Sequence, residues 1–225
     1  MRESGILLPV FALPSEYGIG CFSKEAYEFV DQLKKAGQSK WQILPLGPTG
    51  YGDSPYQSVS TFAGNPYFID LETLIDKKLL TKEECENCDW GGSESYVDYE
   101  KMYLSRYKLL RKAYERADLK NDPDYAIFLK KEKDWLLDYS LFMAIKNAQN
   151  GKCWIDWPEE LKDRHSKAVK EAEKELAEEV GFYSFQQYCF TTQWSKLKKY
   201  ANKKGIQIIG DVPIYVALDS SDAWA

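Results

Sequence analysis

Between residues 47 and 57 the chain reads Gly-Pro-Thr-Gly-Tyr-Gly-Asp-Ser-Pro-Tyr-Gln, three glycines and two prolines framing a set of aromatic and polar side chains. Proline fixes φ and glycine permits positive φ, so together they hold one unusual backbone path without regular structure. Such a path is useful where side chains must be aimed. Tyr51 and Tyr56 each offer an apolar ring face with a polar tip, which matches a sugar ring with its C–H face and rim of hydroxyls. Asp53, Ser54 and Gln57 add acceptors and donors for hydroxyl groups. The competing reading is a rigid but inert loop in which the two tyrosines are packing residues. Position favours the first reading: the loop follows an apolar strand, and α/β folds place their sites at the C-terminal ends of parallel strands. Asp211 falls near the end of another apolar strand and gives a second polar group at such an end, with loop pinning or helix capping as its alternative role.

Other candidates carry less. Cys85-Glu-Asn-Cys88 has metal-ligand spacing, but with no second pair and a single histidine a four-ligand zinc site lacks donors. No metal or cofactor is expected. That histidine, His165, lies in the polar run Lys-Asp-Arg-His-Ser-Lys, and no nucleophile elbow exists to use it as a base. Gly18-Ile-Gly20 begins like a dinucleotide fingerprint, but Ser23 stands where the third glycine should be, and a loop rather than a tight strand-to-helix turn precedes it.

A net charge of −5 over 225 residues gives no footprint for nucleic acid or an anionic membrane, so a neutral ligand fits better. The stretch Gly5–Leu13 has the length of a signal-peptide core, but Glu3 precedes it and no small-residue cleavage site follows; a buried first strand is expected there. No apolar run is long enough to span a membrane. Five scattered cysteines, an odd number, point to free thiols in a reducing compartment.

The elements that must position the loop read as β-α-β. Ile6 to Val10 is a continuous apolar run, as in a strand covered on both faces. Ser23 can cap a helix carrying Ala26, Phe29, Val30 and Leu33, closed by Gly37. A second strand, Trp41 to Leu46, delivers the chain into the loop, and parallel pairing follows. From about Ile75 to Lys204 the sequence is charged, amphipathic and helical. Met102, Tyr107, Leu110 and Tyr114 mark one helix, and Asp122-Pro123 starts another, along which Tyr125, Phe128, Leu129, Trp135, Leu136, Tyr139, Phe142 and Ile145 fall at helical spacing. A last helix, about Ser184 to Lys204, precedes a third buried strand from Ile206 to Val216.

Three stretches then carry a resemblance: GILLPVFALPSEYGIG, WQILPLGPTGYGDSPYQSVSTFAGNPYFIDL and FYSFQQYCFTTQWSKLKKYANKKGIQIIGDVPIYVALDSSDAWA. The chain resembles the amylomaltases, or 4-α-glucanotransferases, the disproportionating enzymes of maltose and starch metabolism. The matching portions cover about the first 75 and last 45 residues, and the middle is similar only in being helical. The resemblance implies the N-terminal part of a (β/α)8 TIM barrel, about three strands of it, with a large helical insertion between the second and third strands. Residues 1–75 would be the first part of the barrel with the substrate loop, 76–180 the insertion, and 181–225 a barrel helix and third strand. It implies transfer of α-1,4-glucan segments between maltooligosaccharides, without cofactor, in the cytoplasm or, in a plant, the plastid. Tyr51, Asp53, Ser54 and Tyr56 would line donor or acceptor subsites, and Asp211 would sit near the reacting sugar.

The family's retaining mechanism uses a carboxylate nucleophile and a second carboxyl as acid, then base, about 5 Å away. The family presents these in Arg-Ile-Asp-His and Ala-Glu-Asp-Leu-Gly contexts, neither of which occurs in residues 1–225. A barrel typically takes about 250 residues without insertions. The expectation is therefore an N-terminal piece that stops mid-loop at Ser-Ser-Asp-Ala-Trp-Ala225, holds no catalytic residue, is inactive alone and needs the remainder of the same barrel as its partner. The alternative of another class is a non-catalytic glucan-binding module built on the tyrosine loop; a small nucleotide-binding α/β domain would need a phosphate loop that the sequence does not supply.

Overall fold

The computed structural model describes residues 2–50, 52–93 and 95–225. In chain order these form β1 (Gly5–Leu7), α1 (Lys24–Lys35), β2 (Lys40–Gln42), α2 (Leu71–Asp76), α3 (Lys82–Glu86) and α4 (Tyr99–Arg116). There follow α5 (Pro123–Lys131), α6 (Leu136–Ala148), α7 (Glu159–Lys162), α8 (Ser166–Glu175), α9 (Ala177–Lys203), β3 (Gln207–Ile209) and α10 (Ser221–Trp224). The fold is mixed α/β and divides into two units. The first comprises Met1–Pro45, Asn65–Ala117 and Cys189–Val212; the second comprises Leu46–Gly64, Asp118–Tyr188 and Pro213–Ala225.

In the first unit the three strands form one parallel sheet in the order β1-β2-β3, with Ile6 opposite Trp41 and Trp41 opposite Ile208. Gly5 is required by this pairing, because a Cβ there would meet Lys40 Cβ at 2.4 Å. The crossover α1 buries Ala26, Val30 and Leu33. It ends as expected at Gly37, whose φ of +72° lets Gln38 N–H reach back to Leu33 C=O at 2.9 Å. Ser23 stands at the N-cap with extended backbone, but its hydroxyl donates to Glu25 Oε2 (2.5 Å) instead of accepting from the first turn. Trp41 is fully buried, its indole N–H donating to Leu8 C=O (2.8 Å) and its ring meeting Phe29 edge-on at 5.2 Å.

The strands are shorter than their apolar runs. β1 stops before Pro9, which opens a 3-10 turn at Val10–Ala12, and β2 stops before Pro45. β3 covers only Gln207–Ile209, not Ile206 to Val216, because Gly210 and Pro213 interrupt it and proline cannot donate to a ladder. The expectation of strands buried on both faces is also corrected: Ile6, Leu7 and Ile209 are exposed, and beyond β3 so are Val212, Ile214, Tyr215 and Val216.

Elsewhere in the first unit, Phe22 packs against Phe68, Phe190 and Trp194 with ring centroids 5.9, 5.2 and 5.4 Å away. Gln193 on α9 grips the backbone of Asp70 twice, accepting from its N–H (2.7 Å) and donating to its C=O (3.2 Å). Arg106 is fully buried, donates to Ile69 C=O (2.5 Å), and lies 6.0 Å from the Trp90 ring centroid.

The second unit centres on Phe142, Trp157 and Trp224, whose ring centroids lie 5.3 to 5.9 Å apart. The Arg164 guanidinium covers Trp224 at 4.2 Å and pairs with Asp138 at 2.6 Å. The chain end is thus not a loop. Ser220 caps α10 by accepting from Ala223 N–H (3.2 Å), and Trp224 is buried with its indole N–H on Leu161 C=O (2.9 Å). The helix expected to open at Asp122-Pro123 does so, Asp122 Oδ1 accepting from Asp124 and Tyr125 N–H groups at 2.9 and 3.1 Å.

Candidate functional site

β2 ends at Gln42, and the chain then runs through Ile43–Leu46 into the polar loop. At its base Thr49 and Ser58 form an antiparallel bridge. Gly47 is needed there, since a Cβ would meet Ser58 Oγ at 2.6 Å. Inside the bridge, Asp53 N–H donates to Gly50 C=O (3.2 Å) and Gln57 N–H to Ser54 C=O (3.1 Å), two successive turns. Gly52 and Asp53 both lie in the left-handed region, at φ +98° and +55°. For Asp53 this is an uncommon conformation that aspartate tolerates better than most residues.

Of the residues singled out in the loop, Tyr51 lies outside the described residues. Asp53 and Ser54 are half-buried, and Tyr56 is 46% exposed. Partial burial pushes the Asp53 carboxyl above its ordinary range. Ser54 Oγ accepts from Tyr56 N–H (3.3 Å), so its hydroxyl orients the backbone that carries the tyrosine. The structure brings Asp53, Ser54 and Tyr56 together in these turns. Asp211 belongs to the first unit, two residues past β3; it is half-buried, and its Oδ1 accepts from Val212 N–H at 2.8 Å. Because β2 and β3 are parallel neighbours, the chain leaves both strands at the same end of the sheet.

Sequence reasoning missed the residues that hold the loop. Asp222 on α10 accepts from Thr61 N–H through Oδ2 (2.6 Å) and from Ser60 Oγ through Oδ1 (3.2 Å). Ser221 N–H donates to Val59 C=O (2.8 Å), and Gln187 binds the Gly64 N–H (2.7 Å) and C=O (2.9 Å). The Ser58-x-Ser60 spacing and the Ser220-Ser-Asp222 helix start were visible as local turn and cap signals. Their partners, more than 120 residues away, were not.

The remaining candidates lie outside this loop. Gly20 packs on the 3-10 turn, where a Cβ would meet Val10 O at 2.1 Å, so its smallness serves close packing of the chain on itself. Cys85 is buried, its thiol pushed up to about 11 by burial, and Cys88 Sγ donates to Glu84 C=O (3.4 Å). His165 is exposed ahead of α8. Among the described residues no group of three or more His, Cys, Asp or Glu is placed to hold a metal ion, and no helix is long and apolar enough to cross a membrane.

Residues 8–225 match the family described as 4-alpha-glucanotransferase. A 4-alpha-glucanotransferase from Clostridium butyricum is 51% identical over 96% of this chain and 44% of its own length. One from Thermus thermophilus is 46% identical over 100% of this chain and 45% of its length. Among solved structures, an amylomaltase from Streptococcus agalactiae, in complex with acarbose, superposes with a TM-score of 0.96 at 40% identity, covering 100% of this chain and 46% of that one. The chain therefore spans about half the length of the relatives it matches.

Proposed function

The chain belongs to the 4-alpha-glucanotransferase family, and from that membership we propose that it forms the N-terminal part of an enzyme transferring α-1,4-glucan segments between maltooligosaccharides. The observation that carries the reading is the match itself, which runs through residues 8–225 and so includes the whole polar loop. In the proposal Tyr51, Asp53, Ser54 and Tyr56 line sugar subsites and Asp211 sits beside the reacting sugar. The left-handed backbone at Asp53 and the bond from Tyr56 N–H to Ser54 Oγ support it, since they fix the directions in which the Asp53 and Tyr56 side chains leave the chain. A relative of 40% identity, the amylomaltase from Streptococcus agalactiae, was solved in complex with acarbose.

The three parallel strands with α1 as crossover are read as the opening of a (β/α)8 barrel, residues 1–75 and 181–225 supplying barrel elements and 76–180 the helical insertion between the second and third strands. The exposed apolar residues Ile6, Leu7, Ile209 and Ile214 support that reading, because barrel strands are covered on both faces. The nucleophile and acid/base of a retaining displacement are proposed to lie in the part of the relatives' length that this chain does not span. The residues described here would then bind and orient sugar, and hold no proton in flight. No cofactor takes part, and the proposed compartment is the cytoplasm.

The test is incubation of the full-length protein with maltotriose. Glucose together with maltooligosaccharides longer than the donor is the expected product set, and Tyr56→Ala should weaken glucan affinity on the order of 1 kcal/mol by removing a ring face from a partly wet site. Glucose with no longer product would mean hydrolysis and not transfer; no turnover with retained glucan binding would favour the binding-module reading.

A further inference from the structure

Phe62 is 64% exposed, although Val59, Ser60 and Ala63 on the same segment are buried. Its ring is not loose. It lies on the Trp135 indole with planes 18° apart and centroids at 6.1 Å. Trp135 is itself fixed, its N–H donating to Glu132 Oε2 (2.9 Å) and its ring tilted against Tyr139 at 6.1 Å. One face of Phe62 is therefore turned to the indole, and the exposed area belongs to the rest of the ring.

The backbone beneath Phe62 is fixed from the other side. Its N–H donates to Ser60 Oγ (3.2 Å), that hydroxyl donates to Asp222 Oδ1 (3.2 Å), and Thr61 N–H donates to Asp222 Oδ2 (2.6 Å). A hydrophobic ring held out to water by charge-assisted bonds costs burial that the loop could have gained by turning inward. The frame is the arrangement expected of a surface that is filled when a ligand arrives.

We propose that the Phe62–Trp135 stack is an outlying sugar platform, on which one glucose ring of a long α-1,4-glucan lays its C–H face, and that Asp222 is the positioning residue that holds the platform in place. This rests on the glucan reading above. The occupant follows from size and charge. A protein partner needs roughly 800 Å² per side, far more than one ring provides. A nucleic-acid base could stack on the same face, but a chain of net charge −5 offers its phosphates no counter-charge. A neutral pyranose needs only the ring, and the platform lies on the segment that continues directly from Asp53, Ser54 and Tyr56.

The experiment compares kcat/KM on soluble amylose and on maltotriose for the full-length protein and its Phe62→Ala, Phe62→Trp and Asp222→Ala variants. A platform outside the reacting subsites serves long donors more than short ones. Phe62→Ala should lower kcat/KM on amylose about three- to tenfold, chiefly through KM, and the loss should exceed the loss on maltotriose by threefold or more. Phe62→Trp should restore the amylose value, and Asp222→Ala should show the same donor-length bias as Phe62→Ala. Equal losses on both donors, or an amylose KM that Phe62→Ala leaves unchanged, overturn the platform while leaving the glucan reading intact. A wild-type protein that transfers from neither donor overturns both. Thermal midpoints of the variants, read alongside, separate a lost platform from a lost fold, and Phe62→Trp keeps the test open should Asp222→Ala unfold.

Discussion

The segment Leu46–Gly64 and the three strands are both poor in regular hydrogen bonding, but they are held in opposite ways. Among its described residues the segment makes no strand longer than an isolated bridge, yet the Asp222 carboxylate, Ser221 and Gln187 each anchor its backbone, and Val59 and Ala63 reach into the core of the second unit. The strands make regular parallel ladders, yet Ile6, Leu7 and Ile209 are left about half exposed. Irregular backbone is affordable where polar side chains satisfy it, whereas regular backbone is no guarantee of a covered face. The difference separates what this chain completes by itself from what it leaves open.

The sharpest way to break the first half of the comparison is to remove the support of α10. Trp224→Ala should destabilise the protein by about 3–5 kcal/mol, the usual loss for a buried tryptophan, read from urea denaturation. Trp224 packs on Phe142 and Trp157 and sits two residues from Asp222 on the same short helix, so its loss should also free the loop, seen as faster amide exchange at Thr61. A core defect without that exchange would show that the clamp stands independently.

The clamp alone is the next largest effect. Asp222→Ala leaves Thr61 N–H and the Ser60 hydroxyl without their acceptor and should cost about 1–3 kcal/mol. Asp222→Asn, which keeps one acceptor oxygen, should recover part of it. Equal losses in the two variants would assign the effect to α10 and not to the bonds.

How much of this was legible follows the range of each interaction. Helix α4 and the crossover α1 were readable because their signals are local, periodic apolar residues and Gly37 after Leu33, and Asp122 before Pro123 marked where α5 opens; the apolar series that reads as one helix from there to Ile145 is in fact two, α5 ending at Lys131 and α6 opening at Leu136. Strand ends were misread because an apolar run records what could pair, while Pro9, Pro45 and Pro213 decide what does. The loop was legible as a loop from its glycines and prolines. Its clamp was not, since nothing local to Ser60 or Gly64 announces Asp222 or Gln187. Nothing in the sequence marks Phe62, and only its exposure singles it out.

A polar anchor in the first unit offers a contrast to Asp222 through pH. Glu84 accepts from Arg116 (2.7 and 2.8 Å) and Lys112 (3.0 Å), and these bonds hold its carboxyl well below the usual range. A depressed folded-state value means stability that is fully present above the unfolded carboxyl value of about 4.3 and is lost as pH falls through the folded one. Glu84→Gln should therefore lower stability at pH 7 by less than Asp222→Ala does, because its partners are partly exposed and solvent screens them. It should also flatten the fall in stability below about pH 4. A variant as pH-sensitive as the wild type there would move the acid response to other carboxyls.

The smallest expected effect tests the second half of the comparison. Leu7 is 55% exposed and Ile209 43%, so in residues 1–225 each side chain has only about half its burial to lose. Leu7→Ser and Ile209→Ser should each cost about 1 kcal/mol, roughly half of what full burial of an aliphatic side chain is worth. The backbone ladder should survive, because Leu8 N–H still reaches Gln42 C=O and Ile43 N–H still reaches Ile209 C=O, both at 3.0 Å. The same substitutions in a full-length protein whose further strands pack on this sheet should cost about 2 kcal/mol or more, as for buried aliphatic side chains. The contrast between the two backgrounds, and not either value alone, measures how much of the sheet is completed from outside these residues. Equal and small effects in both would mean that the exposed faces stay in water and that the barrel reading of β1 to β3 is wrong.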